Sequence, residues 1–292
     1  MKAIIFGING QDGFYLQKLF IELNIEVVGV SRNTGTWIIG NVADRIFVED
    51  LIGQHKPDYI FHLAANSTTR HDVIFENHET ISTGTLNILE AVFRYSLNSK
   101  VFLSGSGLQF VNKELPISEK DPFDASSAYC VARIQSVYAA RYYRTLGLKI
   151  YIGYFFNHDS PLRTDRHINQ KIIATIKKII TGSNEVIEIG DLNTKKEFNF
   201  AQDLMEAIWV LVNQDEIFEA VIGSGNAYSI KDWIQICFDK VQIDWKKYVV
   251  EKNNFISEYK ILVSDPSTIY SLGWKPKVDI YKLAEIMLSD GE

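Results

Sequence analysis

The chain has 292 residues, 46% of them hydrophobic, and a formal net charge of −6. That length holds one large domain or two modest ones, the acidic balance excludes a basic field for nucleic acid, and no run of about 18 apolar residues suggests a membrane span. The opening MKAIIFGINGQDG is too short in its apolar run for a secretory leader, and Cys130 and Cys237 lack metal-type spacing, so a cytoplasmic chain with free thiols and no metal is expected.

Residues 2–6 read as a short buried strand, followed by Gly7-Ile8-Asn9-Gly10-Gln11-Asp12-Gly13, an amphipathic helix over 14–23 and a second strand over 25–30. Strand, Gly-x-x-Gly-x-x-Gly, helix, strand is the opening of a dinucleotide-binding unit. The turn must be tight, the backbone must approach a pyrophosphate, and the helix N-terminus supplies N–H groups and the positive end of its dipole. Gly7, Asn9, Gly10, Gln11, Asp12 and Gly13 are therefore candidate dinucleotide contacts. After the second strand an acidic residue would bind a ribose 2′-hydroxyl and repel a 2′-phosphate. Ser31 and Arg32 stand there instead, which favours NADP over NAD, with NAD still open. Asn41 is a further candidate on the same side of the site.

The third strand signal is 57–65, ending in Leu63, Ala64 and Ala65, small enough at its end for a cofactor to cross the sheet edge; His62 within it reads as a packed core residue. A long helix over 81–96, a strand over 100–104, a helix over 126–146 and a strand over 149–155 follow. This alternation predicts a Rossmann-type α/β fold with a doubly wound parallel sheet.

Residues 102–133 carry the chemistry. An apolar run ends in Ser104-Gly105-Ser106, and the later helix presents Tyr129 and Arg133 one turn apart on one face. Hydroxyl, phenol and fixed cation form a proton-transfer set suited to oxidising or reducing a carbonyl. Beyond 155 the character changes: a polar loop over 157–161, a helix over 169–180 with isoleucines on one face, short strands over 186–189 and 197–200, a helix over 203–212, a strand over 219–222, and helices over 229–241 and 280–288. A dinucleotide-binding domain over 1–156, rejoined by about 197–223, and a smaller mixed α/β substrate part over 157–196 and 224–292 are expected.

Taken together these residues resemble the extended short-chain dehydrogenase/reductase family, and within it the GDP-mannose 4,6-dehydratase group and its relatives acting on nucleotide-linked sugars. The resemblance rests on G-I-N-G-Q-D-G-F-Y-L at 7–16, H-L-A-A-N-S at 62–67, F-E-N at 75–77, G-T-L-N-I-L-E-A at 84–91, F-N-H-D-S-P at 156–161 and L-G-W-K-P at 272–276. It implies that Tyr129 exchanges a proton with the sugar 4-oxygen while hydride moves at the nicotinamide, and that Ser106, or its neighbour Ser104, hydrogen-bonds that oxygen. It also implies that Asn157 touches the sugar diphosphate, that Lys196 stands where the group has an Arg on that diphosphate, and that Arg163 and Gln170 are weaker contacts. Family members often dimerise through the tyrosine helix and the long helix before it, so a homodimer or homotetramer is implied, with Tyr138, Tyr142 and Tyr143 either at the contact or in the core.

Two departures separate this chain from the group. Arg133 replaces a Lys that binds the nicotinamide ribose, and a guanidinium fork is not equivalent to an ammonium. Leu108 replaces a Glu that removes the C5 proton in dehydration, with Asp124 a possible substitute base. The group's later Arg has no counterpart before Asp265-Pro266, and the region 241–264 is shortened. C4 chemistry needs only phenol, hydroxyl, cation and nicotinamide, so the leading expectation is NADP-dependent reduction of a 4-keto-6-deoxy sugar on a nucleotide, GDP favoured, for surface polysaccharide. The alternatives are a 4,6-dehydratase or epimerase, and a weakly catalytic or non-catalytic dinucleotide-binding protein.

Overall fold

The computed structural model describes residues 1–66 and 68–289; Ser67, the last residue of the 62–67 motif, and residues 290–292 lie outside the described residues. Its main sheet is built from β1 (Lys2–Phe6), β2 (Glu26–Ser31), β3 (Ile38–Ile39), β4 (Tyr59–His62), β5 (Lys100–Ser106), β6 (Lys149–Phe155) and a late strand, Glu219–Ile222. All neighbours are parallel. Reading outward from β1, β2 and β3 lie on one side, and β4, β5, β6 and the late strand on the other. The order thus reverses beside β1, and a crevice opens at the strands' carboxyl ends there.

Strands buried on both faces read as continuous apolar runs, and β1 shows why. Ala3 and Ile5 point into one core with Leu16, Phe20, Leu204 and Ile208. Ile4 and Phe6 point into the other with Val48, Ile52, Ile88 and Val92. The first layer holds α1 (Gln11–Glu22); the second holds α2 (Arg45–His55), α4 (Gly84–Tyr95) and α5 (Ala128–Thr145), with the short α3 (Ile74–Asn77) leading into α4. Neither α2 nor β3 was foreseen from the sequence. The long helix also starts earlier than 81, through a π-helical turn over His78–Thr83.

After β6 the chain forms β7 (His158–Asp159), α6 (Ile168–Ile180), β8 (Ile187–Ile189), β9 (Lys195–Glu197) and β10 (Asn199–Phe200). It then returns to the main body as α7 (Ala201–Val212) and the late strand, β11. The remainder supplies β12 (Ala227–Ser229), α8 (Ile230–Lys240), β13 (Val249–Glu251), β14 (Ile261–Leu262), α9 (Ser267–Ser271) and α10 (Ile280–Leu288). Small sheets β12-β9-β14, β13-β8 and β10-β7, with α6, α8 and α10, make the smaller mixed α/β part. Its pieces meet at Glu197, a fully buried carboxylate. It accepts from Asn199 Nδ2, from the backbone and hydroxyl of Ser224, and from the backbone and hydroxyl of Ser264, so its lone pairs are filled without a cation.

Candidate active site

Gly7 leaves β1 with φ +92°, and a Cβ there would lie 2.7 Å from the Ala64 nitrogen. Gly13 is pressed against the same turn, where a Cβ would lie 2.4 Å from the Gly7 carbonyl oxygen. Gly10 caps α1 with no side-chain hydrogen bond, so the first backbone N–H groups of the helix are left for another acceptor. Beside them is a cavity of about 550 Å³ lined by Gly7, Asn9, Gly10, Gln11, Arg32, Asn41 and Leu63 to Ala65, among others. Arg32 is exposed at its rim, and Ser31 is buried, its hydroxyl accepting from the Asn33 N–H at 3.1 Å. Asn41 Oδ1 accepts from the Ala43 N–H at 3.1 Å. A side-chain-free cradle at a helix N-terminus is what a dinucleotide pyrophosphate requires, so these residues fit that cofactor.

A second cavity of about 590 Å³ continues past the ends of β4, β5 and β6 and shares Leu63, Ala65, Asn66, Arg163, Arg166 and His167 with the first. Ser104, Ser106, Leu108, Tyr129 and Arg133 line it together. The proton-transfer set predicted from the sequence is therefore assembled in one place. Tyr129 packs with Ile81, Cys130 and Ala132 and against Leu108. Arg133 does not point away: its guanidinium carbon sits 5.2 Å from the Tyr129 ring centroid. One nitrogen, Nη1, donates to the Ser104 carbonyl and, at 2.8 Å, to the Ser104 hydroxyl. Its Nε is buried with no partner among the described residues.

The two serines separate in role. Ser104 donates to the His62 carbonyl at 3.0 Å and accepts from Arg133, so its hydroxyl hydrogen is already engaged. Ser106 accepts from the Leu108 N–H at 3.2 Å, while its own N–H goes to Gln109, which leaves its hydroxyl hydrogen free for the cavity. His62 is the packed residue expected: it is buried, Nε2 meets the Thr80 carbonyl at 3.1 Å, and burial with nearby Arg133 pushes its pKa down to about 4.

On the substrate side, Asn157 lines the second cavity, and its Oδ1 is buried with no partner among the described residues. Arg163 lines both cavities, 3.8 Å from Asp159. Three of the expected residues line neither cavity. Lys196 is buried with its ammonium 5.4 Å from the Phe198 ring centroid and lines neither cavity. Gln170 also lines neither. Asp124 is exposed and lines neither cavity, and its N–H donates to the Gln109 carbonyl at 2.8 Å. Asp12 faces the second cavity rather than the first, and its carboxylate meets His158 Nε2 at 3.0 Å. Burial would raise its pKa, but His158 outweighs that and holds it down at about 2. Sequence reasoning missed this pair, and also Arg166, His167 and Glu258 on the cavity walls; the F-N-H-D-S-P motif was the signal that held His158.

Cradle, crevice and proton-transfer set define an NAD(P)-dependent oxidoreductase of the extended short-chain dehydrogenase/reductase type. The chain belongs to the family described as GDP-mannose 4,6 dehydratase, which matches residues 4–287. It is 28% identical over 322 residues to GDP-mannose 4,6 dehydratase 1 of Arabidopsis thaliana, covering 99% of this chain and 89% of that one. To GDP-mannose 4,6-dehydratase of Yersinia enterocolitica it is 25% identical over 349 residues, covering 99% and 93%. The fold is similar to that of RMD from Pseudomonas aeruginosa complexed with NADPH, with TM-score 0.87, 21% identity, and 99% and 96% of the two chains covered. The protein is thus an NAD(P)-binding enzyme of nucleotide-diphosphate sugars. Among the described residues no helix is long and apolar enough to cross a membrane, and no cluster of metal-ligating side chains is present.

Proposed function

We propose that the chain carries out NADP-dependent oxidation–reduction at C4 of a GDP-linked hexose, with net reduction of a 4-keto-6-deoxy sugar. The observation that supports the net direction is Leu108: an apolar side chain lines the second cavity at the position where the resemblance puts the base for elimination across C5–C6. Tyr129 exchanges a proton with the sugar 4-oxygen, the free hydrogen of Ser106 orients that oxygen, and Arg133 holds positive charge behind the phenol ring. A bound nicotinamide supplies or accepts the hydride. In this reading residues 1–156 with about 197–223 hold the dinucleotide, and 157–196 with 224–292 hold the sugar nucleotide.

A second reading, 4,6-dehydration, draws stronger support from the relatives, since the family and both sequence relatives named above carry that activity in their names. It needs a carboxylate base. Two carboxylates line the second cavity among the described residues: Asp12, paired with His158, and Glu258, which accepts from the Thr69 hydroxyl at 2.9 Å. Glu258 would have to serve. The deciding experiment supplies GDP-4-keto-6-deoxymannose with NADPH, and GDP-mannose alone. Substrate-dependent loss of NADPH absorbance in the first is expected; a 4-keto product from GDP-mannose with no net NADPH loss would establish the second reading.

The exposed Arg32 supports NADP over NAD. Arg32→Ala is expected to raise KM for NADPH by about 10–100-fold, the worth of one charge-assisted contact, while KM for NADH stays within about 2-fold. Equal effects on both would return Arg32 to an ordinary surface charge. Exposed Leu86 and Phe93 on α4, with Tyr138 and Tyr142 on α5, support association of two copies through these helices. Tyr143 is buried and donates to Glu90 at 2.7 Å, which supports its core reading over a place at the contact.

A further inference from the structure

Two side-chain bridges join the start of α1 to the loop that carries Asn157. In the first, His158 Nε2 meets the Asp12 carboxylate at 3.0 Å and Nδ1 meets the Phe156 carbonyl at 2.9 Å. With Asp12 ionised both partners accept, so the geometry favours both ring nitrogens donating and the ring carrying the charge. Burial opposes that charge and the Asp12 carboxylate restores it; Arg163 is the other charged group facing the ring. In the second bridge, the fully buried Ser160 donates to Gln11 Oε1 at 2.8 Å and accepts from the Leu162 N–H at 3.2 Å. Gln11 and Asp12 are the first two residues of α1, and a dinucleotide pyrophosphate would meet the N–H groups there. On its other flank the loop is held independently, by pairing of β7 with β10 and by Asn199 Nδ2 donating to the Asn157 carbonyl at 2.9 Å.

We infer that His158 and Ser160 are positioning residues that couple the two binding sites: dinucleotide binding at the start of α1 fixes Gln11 and Asp12, these fix residues 157–160, and the nucleotide diphosphate then finds Asn157 in place. The inference rests on the reading that the second cavity takes a nucleotide-diphosphate sugar. Coupling of this kind is reciprocal, so a nucleotide diphosphate must tighten the dinucleotide by the same factor.

The test uses the full chain, with whichever of NADP⁺ or NAD⁺ it binds more tightly. Hydrogen–deuterium exchange at 157–162 is followed with and without the dinucleotide alone, and GDP affinity is measured by calorimetry in both states. In the wild type the dinucleotide should slow exchange in that segment and tighten GDP by about 10-fold, within the usual range for coupled sites. In the double variant His158→Ala, Ser160→Ala the dinucleotide should still bind, yet both effects should vanish. Retention of both effects in the variant, or no slowing in the wild type, overturns the coupling. A protein that ignores GDP while showing the exchange effect has lost the GDP reading and kept the coupling; UDP then replaces GDP as the probe. If the double variant does not fold, Ser160→Ala, which removes one neutral hydrogen bond, is carried through the same measurements, with partial loss of both effects expected and full retention counting against the coupling.

Discussion

Tyr129→Phe is expected to lower turnover by about 10²–10⁴-fold, the usual contribution of a positioned general acid–base group, while dinucleotide binding stays within about 2-fold. The separation follows from how the ring is held. Its packing with Ile81, Cys130 and Ala132 involves the ring, not the hydroxyl, and so does its approach to the Arg133 guanidinium at 5.2 Å. Phe keeps the ring of this cavity-lining residue and deletes only the O–H. Single-turnover absorbance at saturating NADPH and sugar nucleotide reads the chemical step, and fluorescence titration reads the binding. Turnover above a tenth of wild type would mean that another group transfers the proton. Loss of dinucleotide binding would mean that the phenol oxygen supports the cofactor site.

The largest expected effect on stability lies away from the chemistry, at Glu219 on β11. Its carboxylate accepts from Arg141 at 3.0 and 2.7 Å, from Arg144 at 2.5 Å and from the Tyr154 hydroxyl at 2.6 Å. The Glu219 side chain is 14% exposed, and Arg144 18%, whereas Arg141 is 41% exposed and partly hydrated. Glu219→Ala strands the Arg144 cation and the buried Tyr154 hydroxyl, and a loss of about 3 kcal/mol is expected. Tyr154→Phe, which removes one member of the network, should cost about 1 kcal/mol.

The sign with pH is fixed by the same contacts. Burial alone would raise the Glu219 pKa, but the hydrogen bonds from Arg141, Tyr154 and Arg144 bring it from 4.5 down to about 2. A carboxylate depressed on folding stabilises the folded state above its ordinary pKa and loses that contribution as pH falls toward the depressed value. The gap between wild type and Glu219→Ala in urea unfolding should therefore be widest near neutrality and narrow between about 4.5 and about 2. Asp12 titrates in the same window, but it is common to both proteins and cancels in the difference. A gap unchanged with pH would show that the variant loses packing rather than an ion pair.

What could be read from the sequence was whatever a local rule enforces. The glycine turn was legible because a helix following a tight turn after a buried strand admits few residues at 7, 10 and 13, and the contacts a Cβ would make at Gly7 and Gly13 give the reason. The Tyr129–Arg133 spacing was legible because helical geometry sets it. Which serine would be free was not, since that depends on Arg133 reaching across to β5 and occupying Ser104. Lys196 was assigned by its place in a motif, and its position over the Phe198 ring had no signal in the sequence. His158 was inside a quoted motif, but its partner Asp12 lies 146 positions away, and no periodicity links them. The helix Arg45–His55 escaped because its buried residues are only Val48, Leu51 and Ile52, too few to impose a clear period.

The return of the chain to the main sheet as β11 bears on how the protein is made. β11 pairs along β6 from Ile152 to Phe155 and closes that side of the sheet. A nascent chain that has emerged only to residue 156 has β6 as an uncovered border, its row of unpaired backbone groups open to another copy. The sheet cannot be completed until residue 222 has left the ribosome, after the whole of 157–196 has been synthesised. Residues 1–156 therefore do not contain the whole of the main sheet. A fragment ending at 156 should self-associate rather than stand alone, and grafts or fusions that respect the molecule must carry its sequence through β11.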